Sequence, residues 1–357
     1  MKGLFVTQQV DPEHPTLGAA AAMVRALAER CEEVVVLASA AAPDALPANV
    51  RFRSFAAPAQ ALRGVRYESA LVRELVRGRP AFLLAHMSPV YAVLAAPLLR
   101  PLSVPLLLWF TQQRGGPELT RAAGVVDAIL SVDVRSVPIS SPKVRAIGHG
   151  IETELFPCTP RSAQTPLRLL SLGRYSEVKG HDVALRALRL LLDDGVDAEL
   201  AVHGEDPAND VRARLARLSG ELGLDEYARL EDGVPRSAVP ALLTRTDVLV
   251  NATRGASADK VVFEALAACV PVVAASPVFD GLLPAGARFV QGDPAGLAAA
   301  VRAATGLPAE ERLRLRARVE AEHSVGHWAE AVIEAARYGA SARRGAGAVE
   351  RDGLENH

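Results

Sequence analysis

Cysteine and aromatic residues are scarce in this 357-residue chain, and each scarcity excludes a class of protein. The three cysteines, Cys31, Cys158 and Cys269, are odd in number and widely separated, which argues against a disulfide framework and against a cysteine-rich zinc site. Aromatic residues make up 4% of the chain, too few for the stacking platforms that bind single-stranded nucleic acid. The formal net charge of −1 lacks the basic excess that nucleic-acid binding requires. We therefore expect no nucleic-acid partner.

Uninterrupted apolar runs of membrane-spanning length are also missing. The most apolar stretch, residues 92–110, contains Arg100 and is broken by Pro97, Pro101 and Pro105, so it predicts a helix, a turn and a buried strand. The opening residues carry one early positive charge and an apolar run too short for the core of a signal peptide. These features predict a soluble, cytoplasmic protein without a transmembrane segment.

Short apolar runs alternate with amphipathic segments along almost the whole chain. Strands that are apolar on both faces are typical of a parallel sheet covered by helices on both sides. Buried strands are predicted at residues 4–6, 34–37, 82–85, 104–109, 128–132, 167–172, 198–202, 247–250 and 270–274. Helices are predicted at residues 17–30, 65–77, 89–99, 118–123, 182–192, 211–222, 238–244, 261–268 and 294–304. The alternation predicts an α/β protein with two Rossmann-like, doubly wound parallel-sheet domains facing a central cleft.

A segment rich in proline and small polar residues, 156–166, predicts the linker between a domain of residues 1–155 and a domain of residues 167–322. The charge distribution changes near the same place: residues 1–150 hold 16 basic and 11 acidic side chains, whereas the remainder holds 24 and 30. The segment 340–357 is rich in glycine, alanine, arginine and glutamate without apolar periodicity, which predicts a disordered tail.

One cluster of polar residues follows the strand at 167–172. Gly173, Arg174, Lys179 and Gly180 combine flexible backbone, two cations and the start of a helix, a pattern that predicts an anion site. An ordinary solvated loop with surface cations is the alternative interpretation.

A second cluster follows the strand that ends at Val250. A loop of small residues leads into a helix near Asp259, where free backbone N–H groups favour a phosphate. Glu264 stands among apolar positions of that helix, so it is predicted to bind a hydroxyl-bearing ligand or to form a structural salt bridge. Lysine is rare, with four in the chain, and two of them, Lys179 and Lys260, fall in these clusters.

Both clusters are similar to a known family. GRYSEVKG at 173–180 and DKVVFEALAACVPVVAA at 259–275 resemble the retaining glycosyltransferases of family 4, the glycosyl transferases group 1, which have the GT-B fold. TQQVDPEHPTLG at 7–18, AHMSPVY at 85–91 and AIGHGIETELF at 146–156 are also similar, so the resemblance covers nearly the whole chain up to the tail. It implies transfer of a sugar from a nucleoside diphosphate donor to an acceptor held by the first domain, with a helix at 323–339 crossing back to that domain.

The resemblance implies roles for residues of the second domain. Arg174 and Lys179 would hold the donor diphosphate, and Glu264 would bind the ribose hydroxyls. Backbone amides of the loop and helix start would contact the sugar and its phosphate, at Asp259, Lys260, Val261 and Val262.

Other candidate positions end strands or turns. The resemblance places His86 near the donor sugar and the reaction centre, and Gly18 at a turn that approaches the diphosphate and acceptor. His203 and Gly204 end a strand that is predicted to face the cleft, where they would line the pocket for the base.

The sequence departs from the family pattern at one position. The family often has two glutamates separated by seven residues, and the first would fall on Ala256, so the usual carboxylate contact to the sugar is absent or moved to Asp259. No D-x-D triplet occurs, so no metal and no other cofactor is expected. The hypothesis is a retaining, metal-independent glycosyltransferase. A nucleotide-sugar epimerase and a catalytically idle sugar-nucleotide-binding subunit are the alternatives.

An arginine-rich segment, residues 51–79, is outside these motifs. It contains seven arginines and two glutamates, which predicts a solvated helix face, with contact to an anionic acceptor or a membrane surface as the alternative.

Overall fold

The chain forms two compact units. The structure, a computed structural model, describes residues 1–13, 18–42, 44, 46–159, 162–206 and 210–354, with side chains up to residue 341. One unit comprises Met1–Gly150 together with Glu322–His357, and the other comprises Ile151–Ala321. The first unit therefore takes both ends of the chain, and the change from one unit to the other falls after Gly150 rather than at residue 155.

The first unit is built on a parallel sheet of seven described strands with the order β5-β3-β1-β6-β7-β8-β9. The strands are β1 (Lys2–Val6), β2 (Gln9–Val10), β3 (Glu33–Ala38), β4 (Ala40–Ala41), β5 (Val50–Ser54), β6 (Phe82–His86), β7 (Leu106–Trp109), β8 (Ala128–Ser131) and β9 (Val144–Ala146), of which β2 and β4 form a small separate pair. The helices are α1 (Ala19–Ala28), α2 (Gln60–Arg77), α3 (Pro89–Leu99) and α4 (Pro117–Val125). Because side chains alternate along β1, Leu4 and Val6 pack towards α2 and α3, and Phe5 points to the opposite face.

The second unit has a five-stranded parallel sheet within the described residues, with the order β12-β11-β10-β13-β14. Its strands are β10 (Leu167–Leu172), β11 (Ala198–Gly204), β12 (Ala228–Asp232), β13 (Val248–Asn251) and β14 (Val272–Ala274). The helices that follow them are α5 (His181–Asp193), α6 (Val211–Glu221), α7 (Val239–Leu243), α8 (Lys260–Ala267) and α9 (Pro294–Thr305). The strand order reverses between β10 and β13, and ligands of such sheets bind at the carboxyl ends of the strands beside that reversal.

Three strands of the two main sheets have no counterpart in the sequence prediction: β5, β9 and β12. All three lie at an edge of a sheet, and their side chains are mostly half-buried or exposed. Their sequences, VRFRS, VRA and ARLED, place charged residues between apolar ones, so the continuous apolar run that identified the central strands is missing.

The last helices are longer than the sequence predicts. Helix α10 (Ala309–His323) has no predicted counterpart, and α11 (Val325–Leu354) packs on the first unit, where Trp328 lies edge-on to Trp109 at 5.7 Å. Helix α11 continues through most of the segment for which disorder was predicted, because alanine, arginine and glutamate are strong helix formers. Residues 355–357, like the predicted helix start at Leu17, lie outside the described residues. No described helix is long and apolar enough to cross a membrane.

The described residues of the segment 156–166 fall within the second unit. Cys158 forms a disulfide with Cys269, just after α8, and Arg316 Nη1 donates a hydrogen bond to the Phe156 carbonyl at 2.7 Å. One disulfide is thus present in a chain whose odd, widely separated cysteines argued against a disulfide framework. The two cysteines are 111 residues apart, and only the tertiary fold brings the loop before β10 to the end of α8.

Candidate functional site

The two polar clusters meet beyond the carboxyl ends of β10 and β13. Lys179 Nζ lies 2.7 Å from Oδ1 of Asp259, the residue that precedes the first turn of α8. The two residues are 80 positions apart in the sequence, and both side chains are largely shielded from solvent. Helix α8 therefore begins against the loop that carries Lys179, and its N-terminal N–H groups lie beside a cation.

The Asp259 carboxylate accepts hydrogen bonds from side chains of the end of β13 and the following loop, and from Lys179. Its Oδ2 accepts hydrogen bonds from Asn251 Nδ2 at 2.8 Å and Thr253 Oγ1 at 2.5 Å, and its Oδ1 accepts one from Ser257 Oγ at 2.8 Å in addition to Lys179. Burial by itself would raise the Asp259 pKa, but the charge of Lys179 and these hydrogen bonds hold it well below the usual range. A carboxylate with four donors has no acceptor site left for a sugar, so the geometry argues that Asp259 orders the loop and does not replace the missing glutamate.

Lys260, the first residue of α8, differs from Asp259 because its charged group lacks hydrogen-bond partners among the described residues. Its side chain is half-buried, yet Nζ itself is enclosed and has no hydrogen-bond partner among the described residues. Burial and the neighbouring charge of Arg236 lower its pKa from 10.5 to about 7, although the carboxylates of Glu264 and Glu152 act in the opposite direction. An enclosed amine without a partner is costly to a fold, and such groups are frequent where a ligand supplies the partner.

Glu264 lies one helical turn beyond Lys260 on α8 and is buried. Its Oε1 is 3.3 Å from Arg236 Nη1, and Arg236 Nη2 is 3.4 Å from Oε2 of Glu152. Of the two interpretations offered by the sequence, the structure contains the salt bridge, and both distances are near the long end of the hydrogen-bond range.

Arg236 and Glu152 were not predicted as members of the site. Glu152 lies within the recognised motif at 146–156, but nothing in its spacing distinguishes it from neighbouring charges. Arg236 lies in a turn before α7 and gives no sequence signal, because only the tertiary fold brings it to α8.

The glycines of the site lie where backbones approach closely. Gly180 has a left-handed φ of 66°, and a Cβ there would come within 2.3 Å of the Ala252 carbonyl oxygen. A Cβ on Gly204 would come within 2.2 Å of the Gly173 carbonyl oxygen. These contacts hold the ends of β10, β11 and β13 against one another.

Two histidines stand beside these glycines. His203, at the end of β11, places Nδ1 3.3 Å from the Asp232 carbonyl oxygen. His181, which the sequence did not single out, is buried at the start of α5 with Nδ1 3.0 Å from Ser171 Oγ, and burial lowers its pKa. Arg174 differs from both because its side chain is exposed.

The two remaining predicted positions belong to the first unit. His86 ends β6 and is buried, with Nδ1 3.1 Å from Thr7 Oγ1 and its ring stacked on Phe5 at a centroid distance of 5.4 Å. Gly18 immediately precedes α1. The residues named around Lys179 and α8 all belong to the second unit.

Cationic groups and helix N-termini dominate the described part of this cluster, and Arg174, Lys179 and Arg236 supply most of the positive charge. Within the described ranges, no group of three or more His, Cys, Asp and Glu side chains is arranged to hold a metal ion. The arrangement is suited to binding an anionic ligand that also carries hydroxyl groups, since a buried carboxylate lies one turn from the free helix start.

Comparisons with known proteins show which proteins the chain is similar to. Residues 166–305 match the family model described as glycosyl transferases group 1. A GDP-mannose-dependent alpha-(1-6)-phosphatidylinositol dimannoside mannosyltransferase of Mycobacterium tuberculosis is 32% identical over 152 residues, which are 42% of this chain and 38% of that protein. D-inositol 3-phosphate glycosyltransferase 1 of Catenulispora acidiphila is 29% identical over 211 residues, 53% of this chain and 50% of that protein. The chain thus spans about half or less of the length of these curated relatives.

Among solved structures, HepE of Anabaena in complex with UDP superposes with a TM-score of 0.74 at 16% identity, over 94% of this chain and 99% of that one. The same protein in complex with UDP-glucose gives a TM-score of 0.73 at 15% identity, over 94% and 98%. The two-domain α/β fold of the GT-B glycosyltransferases is therefore confirmed. The resemblance to the glycosyl transferases group 1 is confirmed for the segment that contains Lys179, Asp259 and Glu264.

Proposed function

We propose that the protein is a retaining, metal-independent glycosyltransferase that moves a sugar from a nucleoside diphosphate sugar to an acceptor. The family match over residues 166–305 and the glycosyltransferase names of the curated relatives support the transfer. HepE, which shares the fold, was solved with UDP and with UDP-glucose, and this supports a sugar nucleotide as donor. A cytoplasmic location remains a prediction.

The observation that carries the proposal is the junction of Lys179 with the start of α8 at the ends of β10 and β13. A diphosphate bound here receives one charged donor from Lys179, a second from the exposed Arg174, and free N–H groups from the helix start at Lys260 and Val261. Lys179 has three N–H donors and gives one to Asp259, so two remain for phosphate oxygens.

Glu264 is assigned to the ribose of the donor. Its Oε1 is held by Arg236, which orients the carboxylate while the other oxygen faces no described donor. Ribose hydroxyls would complete its hydrogen bonds, and Lys260 Nζ, one turn away, would gain its missing partner from the same ligand.

The reaction breaks the bond between the anomeric carbon and the β-phosphate oxygen and forms a bond from the acceptor oxygen on the same face of the sugar. The acceptor proton passes to the departing phosphate, so no protein nucleophile is needed. Lys179, Arg174 and the helix start stabilise the charge that develops on that phosphate. His86 and Gly18 are assigned to the sugar and acceptor side, and His203 and Gly204 to the base.

Calorimetric titration with UDP and GDP tests the diphosphate assignment. We expect Lys179→Ala to weaken binding of the nucleoside diphosphate by about 10-fold to 100-fold, because a charge-assisted hydrogen bond contributes about 1.5–3 kcal/mol. Arg217→Ala, on the exposed surface of α6, is the control and should bind as the wild type does. Equal affinity of Lys179→Ala and wild type would remove the assignment.

Incubation with UDP-, GDP- and ADP-sugars separates the proposal from the two alternatives. Release of nucleoside diphosphate together with a glycosylated acceptor indicates transfer, and an isomerised donor indicates an epimerase. Binding without any turnover indicates an idle subunit, the alternative that alanine at position 256 motivates.

A further inference from the structure

One face of helix α2 is buried against the rest of the first unit. Tyr67 and Leu71 are fully buried, and the Tyr67 hydroxyl donates to the Tyr91 carbonyl at 3.1 Å. On the same face, the buried Glu74 carboxylate accepts from Arg51 Nη2 at 2.7 Å and from Arg53 Nε at 3.2 Å. These contacts determine which side of α2 packs on the first unit and which side is left outside.

The solvent-exposed side of α2 carries a stripe of apolar residues, which is unusual for an exposed helix. Leu62 and Val72 are each 42% exposed, Val65 is 58% exposed and Val76 is 83% exposed. With Ser69 these positions recur at intervals of three and four residues, so they form one stripe along the helix. An amphipathic helix with one buried face normally presents polar residues on the other, and a contiguous exposed apolar stripe marks an interaction surface.

Three arginines line one edge of this stripe. Arg66, Arg73 and Arg77 are exposed, whereas the acidic residues of α2 are the buried Glu74 and the half-buried Glu68. The surface of α2 therefore combines aliphatic side chains with positive charge. We call the set Leu62, Val65, Val72, Val76, Arg66, Arg73 and Arg77 the outer face of α2.

We infer that the outer face of α2 docks on an anionic lipid bilayer. Aliphatic side chains enter the boundary between headgroups and acyl chains, and neighbouring arginines pair with lipid phosphates. The stripe is one helix long and is carried by a folded domain, so contact is peripheral and reversible, and increases with the anionic lipid content of the membrane. This inference goes beyond the proposed transferase activity and does not depend on it.

A second copy of this chain fits the same face less well. An 18-residue helix is about 27 Å long and about 10 Å wide, which gives an outer face of about 270 Å². Stable protein interfaces bury about 800 Å² on each partner. Two copies would also place three arginines of each helix near three of the other without matching carboxylates.

Vesicle sedimentation with the full chain tests the inference without any donor or acceptor. We expect binding to phosphatidylcholine vesicles that contain about one third phosphatidylglycerol, loss of binding in about 1 M salt, and little binding to phosphatidylcholine alone. The triple variant Arg66→Gln, Arg73→Gln, Arg77→Gln should lower the partition coefficient about 100-fold. The double variant Val65→Ser, Val76→Ser should lower it about 10-fold.

Matched exposed residues of the second unit serve as controls. A second triple variant removes as many arginine charges as the first: Arg217→Gln, Arg229→Gln, Arg314→Gln. The variant Val290→Ser removes an exposed aliphatic side chain. Neither should change the partition coefficient. Equal loss in the control variants, or equal binding to neutral and anionic vesicles, would overturn the inference. A dimer in sedimentation velocity that the Val65→Ser, Val76→Ser variant dissociates would assign the face to a second copy and overturn it too.

Discussion

Lys260→Met is expected to stabilise the unliganded protein while weakening donor binding. The substitution keeps the length of the side chain and removes the enclosed amine that has no partner among the described residues. Burial and Arg236 lower the Lys260 pKa from 10.5 to about 7, and each pKa unit corresponds to about 1.36 kcal/mol. Keeping Lys260 protonated in the folded protein below pH 7 therefore lowers the free energy of unfolding by at most about 5 kcal/mol. Lys260→Met should recover part of this loss.

The stability gained by Lys260→Met depends on pH. Between pH 7 and 10.5 the unfolded chain binds a proton at Lys260 that the folded chain has released, so the wild type becomes more stable as the pH rises. The advantage of Lys260→Met is thus greatest at or below pH 7 and declines by about 1.4 kcal/mol per pH unit towards pH 10.5. Urea denaturation of both proteins at about pH 6, 8 and 9 measures how their difference in free energy of unfolding declines as the pH rises.

Lys143→Met is the matched control because that lysine is satisfied. Its Nζ donates to the Ala123 carbonyl at 2.9 Å and the Val126 carbonyl at 2.8 Å, so its removal should destabilise the protein by about 1–3 kcal/mol. A Lys260→Met variant that is less stable than wild type at pH 6, or a gain that does not fall with pH, would refute the reasoning.

Three further predictions concern backbone, packing and metal. Gly180→Ala should be more destabilising than Gly195→Ala in urea titration, because both have positive φ but only position 180 would place its Cβ against a backbone carbonyl; equal effects would contradict this. Trp328→Ala should cost about 3–5 kcal/mol, since the ring is fully buried against Trp109, and a loss below about 1 kcal/mol in thermal unfolding would show that α11 is not docked there. Dialysis against EDTA should leave donor turnover unchanged, and restoration of lost turnover by Mg²⁺ would contradict metal independence.

The central strands of both sheets were predictable because they are apolar on both faces. β1, β3, β6 and β10 follow the pattern directly, whereas the edge strands β5, β9 and β12 carry charged residues and resemble loops. The disulfide could not be predicted because its partners become neighbours only through the fold. The sequence also says nothing about which side of α2 is outside, since both sides contain apolar residues.

The sequence predicted two separate motifs of the site but not the contacts that join them. Lys179 and Asp259 were each identified from local residues, but their contact over 80 positions depends on the adjacency of β10 and β13. The partner of Glu264 is Arg236, whose position depends on a turn far from either motif. Burial of one atom, Lys260 Nζ, is likewise a tertiary property, because the rarity of lysine in the chain indicates only that the position is unusual.

Amide hydrogen exchange with and without a saturating nucleoside diphosphate tests the central claim most directly, since it locates the ligand without assuming which residues bind it. We predict slower exchange at residues 173–183 and 251–264, the loop of Lys179 and the start of α8, with a smaller effect in Lys179→Ala at the ligand concentration that just saturates the wild type. Protection confined to other parts of the chain, or unchanged exchange in both segments at saturation, would contradict the account.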